Sequence, residues 1–480
     1  MDTPAVLVAR FLRTNDYTET LTAFLQEAGL PIDAGNTEPG SLTIERIVEE
    51  KQNYDLSLKF EKVGLEDKAK EWTNPAPSVP SIIKLPTSTN LLSISIGVLS
   101  IGTGAAPQPF ILASTADRRL NVVRPDPRTF NVVHSFTELQ DSPILSFTAL
   151  AERFLVCTSM SGKVVVFDSK KQEVISQRKD HTKYVVQVAS YEDEAGATWL
   201  ATAGWDGKVL VYVADISDPE TLQLGEPAGR IQLPSNPEAL LFVRNPEDNA
   251  LNLLVTRRDS SSLFYYKVNQ DMFDSSHARP VAVPLSGEQN LAPYSNAWVA
   301  FTPAAIALSP TDSNWIAVAT SSVPHMKLLV VRLLFPSSGR STFGDVSEPS
   351  STRVSPTSLS GGIDASTPAA RQGRLALALQ DREAAAIRLH CNTMAPQTQY
   401  SSPALAWRPD GTGVFVNSDD GVIRGIDIIT GKVAVALVHH TTGSKIRCIW
   451  AGTLPVGGKT EECVLSGGFD QQLIVWRIKQ

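Results

Sequence analysis

The sequence has few cysteines, and none of them lies at the spacing of a metal site. Only four occur among 480 residues, at Cys157, Cys391, Cys448 and Cys463, without a Cys-x-x-Cys pair. This spacing argues against a zinc knuckle and against the dense disulfide framework of small secreted domains. We therefore expect a reducing compartment.

Long runs of like charge and long apolar runs are also missing. The net charge is -7, and nowhere do five like charges follow one another. No surface for a phosphate backbone is therefore expected, and nucleic acid is not a predicted partner. Arg10 and Arg13 interrupt the apolar residues near the N-terminus, so neither a signal peptide nor a membrane span is predicted. The expected location is the cytoplasm, the nucleus or both.

Motifs for catalysis and cofactor binding are lacking as well. The stretch GGKT at 457–460 ends like a phosphate-binding loop, but Thr453 stands where that loop needs its first glycine. Adjacent residues on a strand point to opposite faces, so the pairs His390-Cys391 and His439-His440 do not form a metal site. The sequence predicts no catalytic residue, no metal and no cofactor.

One short pattern occurs seven times along the chain. Each copy is a tight polar turn followed by alternating apolar residues that end in an aromatic or branched residue. The copies span residues 117–123, 161–167, 206–212, 259–265, 325–331, 420–426 and 470–476. Two apolar strands precede each turn and an outer strand follows most of them, which predicts the four-stranded blades of a propeller.

The repeat is irregular at three places in the sequence. The chain stops before the seventh copy gains its outer strand, so we expect residues 81–86 to supply it and close the ring. In the fourth copy, residues 280–285 are the expected outer strand. The stretch 336–372 is rich in Ser, Thr, Pro and Gly and is predicted to be a disordered insertion within the propeller. Six or eight blades remain alternatives to seven.

The repeats resemble those of WD-repeat propellers over residues 80–480. In the third copy, His181, Thr202 and Asp206 match the family's buried His, Ser/Thr and Asp, while Tyr212 replaces the family's Trp. In the seventh copy all four positions match: His440, Ser466, Asp470 and Trp476. The resemblance implies a structural hydrogen-bond network, since a buried donor without a partner costs about 1 to 3 kcal/mol.

The head of the chain changes to helical periodicity. Thr3 and Pro4 indicate the start of one helix, and a second begins at Asp16 and ends at Gly29. A third helix is expected at about 41–62. Helices as short as the first two are marginal alone and gain stability through packing, so we expect self-association. Docking of these helices on the propeller as a cap is the alternative.

Residues 7–29 resemble the LisH motif, in which two copies form a small four-helix dimer. The resemblance implies that residues 1–35 are a LisH dimerisation motif and that residues 36–79 are a helical extension and linker. The implied dimerisation residues are Leu7, Phe11, Leu12, Tyr17, Leu21, Phe24 and Leu25.

Together these patterns predict a mainly β protein: a seven-bladed WD-repeat β-propeller with a short all-α N-terminal LisH dimerisation region. The resemblance implies a non-enzymatic homodimeric scaffold or adaptor that binds proteins or peptides within a multiprotein complex. The alternatives are a substrate receptor or structural subunit of a ubiquitin-ligase or corepressor assembly, and a propeller enzyme. The turns of this family open on one face, which gives the expected partner-binding rim: Arg118, Arg119, Trp205, Arg257, Arg258, Asp419 and Phe469.

Overall fold

The computed structural model describes residues 3–36, 43–48, 72, 74–126, 130–192, 198–215, 222–268, 280–294, 301–336, 378–456 and 459–479. The chain forms two compact units, one of which is the helical head. The expected insertion at 336–372 lies outside the described residues apart from Pro336. Most of the expected helix at 41–62 does too, although residues 44–48 are helical. Among the described helices, none is long and apolar enough to cross a membrane.

The helical head is a hairpin of α1 (Pro4–Thr14) and α2 (Thr18–Glu27). Thr3 caps α1, because its side chain accepts a hydrogen bond from the Val6 amide, and Pro4 suits the first helical position. Ala9, Leu21 and Leu25 are buried between the helices. The expected pair of short helices is confirmed.

The segment after α2 folds back onto α1. The Arg13 guanidinium donates hydrogen bonds to the carbonyls of Ile32 at 2.6 Å and Ala34 at 3.1 Å. Gly35 has a φ of +81°, and a Cβ there would lie 2.5 Å from the backbone nitrogen of Arg10. Only glycine fits this close approach.

The second unit is a ring of seven antiparallel sheets, which confirms the predicted blade count. Strand β1 (Val79–Ile83) comes before the first blade. Blades 1 and 2 contain β2 (Leu91–Leu99), β3 (Gln108–Thr115), β4 (Leu120–Arg124), β5 (Asn131–Phe136), β6 (Ile144–Leu150), β7 (Phe154–Ser159), β8 (Val164–Asp168) and β9 (Glu173–Arg178). Blades 3 and 4 involve β10 (Val185–Glu192), β11 (Thr198–Gly204), β12 (Lys208–Asp215), β13 (Gln223–Leu224), β14 (Gly229–Gln232), β15 (Pro237–Arg244), β16 (Leu251–Arg257), β17 (Ser262–Lys267), β18 (Val281–Ala282) and β19 (Leu285–Asn290).

The remaining strands form blades 5 to 7. They are β20 (Thr302–Leu308), β21 (Trp315–Ser321), β22 (His325–Arg332), β23 (Ile387–Pro396), β24 (Leu405–Trp407), β25 (Gly413–Val416), β26 (Val422–Asp427), β27 (Val433–Val438), β28 (Ile446–Val456), β29 (Lys459–Gly468) and β30 (Leu473–Arg477). Residues 378–386, just before β23, are helical.

The core lies between neighbouring blades. The middle strands are covered on both faces, so every residue of β7 and β8 is buried, whereas the outer strand β9 is mostly half-buried or exposed. Between blades 1 and 2, for example, Leu112, Leu155 and Phe167 pack in one cluster. Burial on both faces explains why these strands are nearly continuous apolar runs in the sequence.

Strand β1 completes blade 7 by pairing antiparallel with β30, from Val79 opposite Arg477 to Ile83 opposite Leu473. The ring is thus closed between an early strand and the last hairpin. The strand overlaps the expected segment 81–86 but begins two residues before it and ends at Ile83.

The outer strand of blade 4 differs from the expectation. Of the expected residues 280–285 only Leu285 lies in that position, because β18 pairs in parallel with β14 of blade 3 instead. Val283 is buried against the core that blades 3 and 4 share, which holds the segment there. The next strand, β19, pairs with β17 and completes blade 4 with a mostly polar sequence. Buried Gln289 anchors it by accepting a hydrogen bond from the Tyr265 hydroxyl at 2.6 Å.

Candidate functional site

The turn of blade 3 is tied to the loop before its inner strand by a buried hydrogen-bond network. Nδ1 of His181 donates to Asp206 at 3.0 Å, and Nε2 of the same ring lies 2.8 Å from the Thr202 hydroxyl. The Thr182 amide also donates to Asp206, at 3.0 Å. Burial acts to raise the pKa of Asp206, but the hydrogen bonds from His181 and Thr182 outweigh it and hold the pKa well below its usual range.

Blade 7 contains the same network with its tryptophan. His440 donates to Asp470 at 2.8 Å and lies 2.8 Å from the Ser466 hydroxyl, which also accepts a hydrogen bond from Nε1 of Trp476 at 2.8 Å. In blade 3 the residue equivalent to Trp476 is Tyr212. Its hydroxyl instead donates to Asp180 at 3.0 Å. The structure therefore brings each predicted set together at a corner of its blade.

These networks define one end of the ring, which we call the top face. It carries the turn between the second and third strands of each blade and the loop that leads into each inner strand. At its centre a cavity of about 710 Å³ opens among the inner strands, and we call this opening the mouth. All seven blades contribute to its lining. The mouth is the candidate functional site.

A repeated β-bulge aims side chains into the mouth. In six of the seven blades the pairing register shifts immediately after the first residue of the inner strand or, in blade 5, after the second. The residues at these bulges all line the mouth: Leu92, Leu145, Val186, Glu238, Ala304 and Arg447. A bulge re-aims the side chain of its extra residue, which explains the common direction. Four members of this ring are apolar, and two are charged.

Two of the predicted rim residues, Trp205 and Arg258, line the mouth. The Arg258 guanidinium forms a salt bridge with Glu238 at 2.8 Å and lies 5.7 Å from the Trp205 ring. The ring of Tyr184 lies 5.5 Å from the Trp205 ring. Burial raises the pKa of Glu238 although Arg258 lies beside it. These four side chains form one connected group across blades 3 and 4.

The other five predicted rim residues are not among those that line the mouth: Arg118, Arg119, Arg257, Asp419 and Phe469. Several are held by neighbours. Arg119 forms a salt bridge with Asp117 at 2.9 Å, and Asp419 forms one with Lys445 at 2.9 Å. The Arg257 guanidinium lies 4.8 Å from the Phe264 ring. Arg118 and Phe469 are exposed.

Most residues of the mouth were missed by the sequence interpretation, and three of them, Glu238, Tyr400 and Arg447, bear on its chemistry. Glu238 and Arg447 each follow the first residue of an inner strand. That position carries no residue preference that a repeat pattern detects, because it is apolar in four blades and charged in two. Aligning the inner strands of all blades and comparing the residue at this position would have singled out the two charged members.

In the helical head, the predicted dimerisation residues fall into two groups. Leu12, Leu21, Phe24 and Leu25 pack with Ala9 in the core of the hairpin. Leu7 and Phe11 are half-buried outside that core, and Tyr17 is 53% exposed. The rings of Phe11 and Tyr17 lie 6.2 Å apart. The second group forms an outer face that the hairpin itself does not cover.

The other candidate chemical groups have structural surroundings. All four cysteines are free and buried, and burial raises the pKa of Cys157 to about 12 and that of Cys448 to about 12. Val456 pairs with Lys459 and Pro455 with Thr460, so the last two residues of GGKT lie at the start of β29, while its two glycines are outside the described residues. In the part of the chain that the structure describes, no three His, Cys, Asp or Glu residues converge to hold a metal ion.

Comparisons with known proteins identify the family. A family model described as UCP007778, beta-propeller domain, matches residues 83–477, and a model of the UCP007778 LisH domain matches residues 5–36. No curated protein matches the chain. Matching chains of solved structures number 1420, so the fold is shared too widely to indicate a function. One of them, the crystal structure of the Saccharomyces cerevisiae Sqt1, has 12% sequence identity and a TM-score of 0.49, covering 84% of this chain and 100% of its own. The chain belongs to the UCP007778 family, with a LisH domain followed by a β-propeller domain.

Proposed function

We propose that the protein is a non-enzymatic, dimeric scaffold that holds a protein or peptide partner at the mouth of its propeller. The observation that carries this proposal is the set of aromatic and guanidinium groups open to solvent at the mouth. Trp205 and Arg258 line it, and Tyr400 is 80% exposed there. Trp, Tyr and Arg are the residues that contribute most to binding at protein interfaces.

The neighbours of Trp205 prepare it for binding. Its ring packs close to both Tyr184 and the Arg258 guanidinium, and Glu238 fixes Arg258 through the salt bridge. A side chain that is already held in place loses little conformational freedom when a partner binds, so more of the contact energy remains as affinity. This arrangement favours a binding surface over a set of unrelated exposed residues.

The outer face of the helical head supports the dimeric part of the proposal. Leu7, Phe11 and Tyr17 remain partly or largely accessible after the hairpin has formed its own core. Packing two hairpins together would remove this apolar surface from water, which is favourable by about 25 cal/mol for each Å². A dimer carries two mouths, and it would bind a partner with two matching segments more tightly than one mouth does.

The partner-binding part is tested by affinity purification of tagged full-length protein from its native cell. We compare wild type, a Trp205→Ala, Arg258→Ala variant and a Lys171→Ala, Ile429→Ala control. Both control residues are exposed between the third and fourth strands of their blades, at the opposite end of the ring. Partners in fixed ratio to the protein should be lost with the mouth variant and kept with the control. An unchanged partner set in the mouth variant would contradict the proposal.

The dimeric part is tested by light scattering on the purified full-length chain. Wild type should have twice the mass of one 51.9 kDa chain, and a Leu7→Asp, Phe11→Asp variant should have the mass of one chain. Thr22→Asp, which adds a charge at an exposed position of α2, should remain dimeric. A wild-type protein with the mass of a single chain would rule out dimerisation.

A further inference from the structure

We propose that the mouth binds an acidic peptide segment and that Arg447 binds an Asp or Glu side chain of that segment inside the channel. This inference rests on the proposed function and adds the chemical class of the partner. It is carried by the position of Arg447, by the hydrogen bonds of the groups around it and by the balance of charge in the mouth.

Arg447 is a half-buried cation that Glu238 attracts electrostatically across the mouth without contacting it. It occupies the bulge of β28 and lines the mouth. Among the described residues, none forms a hydrogen bond or a salt bridge with its guanidinium. The other guanidinium of the mouth, that of Arg258, is already paired with Glu238. A guanidinium in a partly desolvated site gains most from a carboxylate that accepts two parallel hydrogen bonds.

The charge of the mouth is opposite in sign to that of the whole chain. Among the described residues that line the mouth there are two guanidiniums and one carboxylate, which leaves one net positive charge, while the protein carries a net charge of -7. Field lines are focused in a cleft with low-dielectric walls, so this local charge attracts an anionic group. An acidic ligand is therefore favoured over a basic one at this site.

The two charged bulge residues also orient the ligand. Glu238 belongs to blade 4 and Arg447 to blade 7, so they lie on opposite sides of a ring of seven blades. Glu238 repels a carboxylate and Arg447 attracts it, which directs the acidic side chain toward blade 7. The neighbouring ligand residues then meet the apolar bulges at Leu92, Leu145 and Val186.

The size and the lining of the mouth favour a peptide over a small anion. The cavity of about 710 Å³ lies within the range of about 300 to 1,000 Å³ that is usual for binding sites of drug-sized ligands. Most of its bulge ring is apolar, and the half-buried ring of Trp205 and the exposed ring of Tyr400 extend the surface beyond the single charge. A lone carboxylate or inorganic anion would leave this apolar surface uncovered.

The test uses full-length protein and immobilised nonapeptide pools with Glu, Gln or Lys fixed at the central position and other positions varied. Every pool is amidated at its C-terminus, so that the fixed Glu is the carboxylate that distinguishes the first pool. Wild type should retain the Glu pool in preference to the Gln and Lys pools. Arg447→Gln should weaken this binding about tenfold or more, which is the effect expected for a hydrogen bond between charged groups.

A substitution of opposite sign separates recognition from a loss of stability. Glu238→Gln removes the one carboxylate among the described lining residues and keeps an oxygen that can accept a hydrogen bond from Arg258, so it should strengthen binding of the Glu pool while Arg447→Gln weakens it. A general loss of folding would lower binding in both variants. Lys171→Gln removes a positive charge at the opposite end of the ring and should leave binding unchanged.

Three outcomes would overturn the inference. The first is that the Gln or Lys pool is retained as strongly as the Glu pool, which would show that the mouth does not prefer an acidic side chain. If Trp205→Ala abolished that retention, the mouth would still be the binding site and the proposed function would stand. Another is retention of the Glu pool that Arg447→Gln does not weaken. The third is that no pool is retained, in which case the affinity purification, which needs no peptide, still decides whether the mouth binds a protein.

Discussion

Blades 3 and 7 tie their top corners together through a histidine, whereas blades 1 and 2 use hydroxyl and amide groups at the same place. In blade 1, Asp117 accepts hydrogen bonds from Thr115 at 2.6 Å and from Thr87 at 2.7 Å. In blade 2, Ser161 donates to Asp141 at 2.7 Å. Each set links the turn to the preceding loop. The fold thus requires donors for a polar corner, and a histidine is one of several ways to supply them.

The two kinds of corner differ in their exposure to water. The Asp206 side chain in blade 3 is 4% exposed, whereas the Asp117 side chain in blade 1 is 25% exposed. Hydrogen bonds in a less polar environment are stronger, and an unpaired polar group left there costs more. We therefore expect the histidine corners to be more sensitive to substitution than the hydroxyl corners.

The largest effect is expected at the tryptophan of blade 7. Trp476 is 1% exposed, and it packs between blades 6 and 7 in addition to its bond with Ser466. Trp476→Ala should lower the free energy of unfolding by about 3 to 5 kcal/mol because it leaves a cavity. Chemical denaturation measures this loss, and a loss under 1 kcal/mol would contradict the buried role.

The histidine corner of blade 7 should lose more stability on substitution than the hydroxyl corner of blade 1. His440→Ala removes a donor from Asp470 and leaves Ser466 with one neighbour fewer in a buried site, so we expect a loss of about 2 to 3 kcal/mol. Thr87→Ala leaves Asp117 with Thr89, Thr115 and Arg119 as donors, so only about 1 kcal/mol should be lost. Denaturation curves measured side by side would show equal losses if the distinction is wrong.

Acid should weaken the histidine corners through their aspartates. The pKa values of Asp206 and Asp470 are lowered because their hydrogen bonds outweigh the effect of burial. Such a carboxylate contributes stability above its unfolded pKa of about 3.9, and the contribution is lost as the pH falls through the folded value. Stability should therefore fall below about pH 4, and Asp206→Asn with Asp470→Asn should flatten that dependence. Equal pH dependence in wild type and variant would exclude these groups.

The smallest effect is expected from the tyrosine that replaces tryptophan in blade 3. Tyr212→Phe keeps the buried ring and removes the hydrogen bond to Asp180. The free energy of unfolding should fall by only about 0.5 to 1 kcal/mol, because the Asp180 carboxylate that accepts this bond is partly exposed and still has Arg178 as a donor. Denaturation of this variant beside Trp476→Ala compares the contribution of the hydroxyl in blade 3 with the contribution of the whole ring in blade 7. A loss as large as that of Trp476→Ala would show that the hydroxyl has a greater role.

Repeating local chemistry made much of the fold predictable from the sequence. The Asp-Gly turn at Asp206 and the alternating apolar residues after it indicate a hairpin in any context. The spacing of His440, Ser466 and Asp470 identified one corner because a rare residue combination stands at fixed positions. These signals lie within one repeat and need no knowledge of its neighbours.

Features that depend on contacts between distant segments were not predictable. Trp72 packs over the Arg408 guanidinium at 4.5 Å and edge-on against Phe415, although it precedes the first blade in the sequence. Gly413 and Gly425 leave room for its ring, since a Cβ at either position would overlap it. The lining of the mouth was not predictable for a related reason, because the position of a bulge is set by strand register and not by a residue motif.

Hydrogen–deuterium exchange tests the central claim, that the mouth is where a partner binds, most directly. Full-length protein purified with its native partners is compared with the same protein after the partners have been removed. We predict that bound partners slow exchange in the loops around Tyr184, Trp205 and Arg258 and in residues 399–405, and not in the opposite hairpin loops near Lys171 and Ile429. Slower exchange confined to that opposite end would contradict the account.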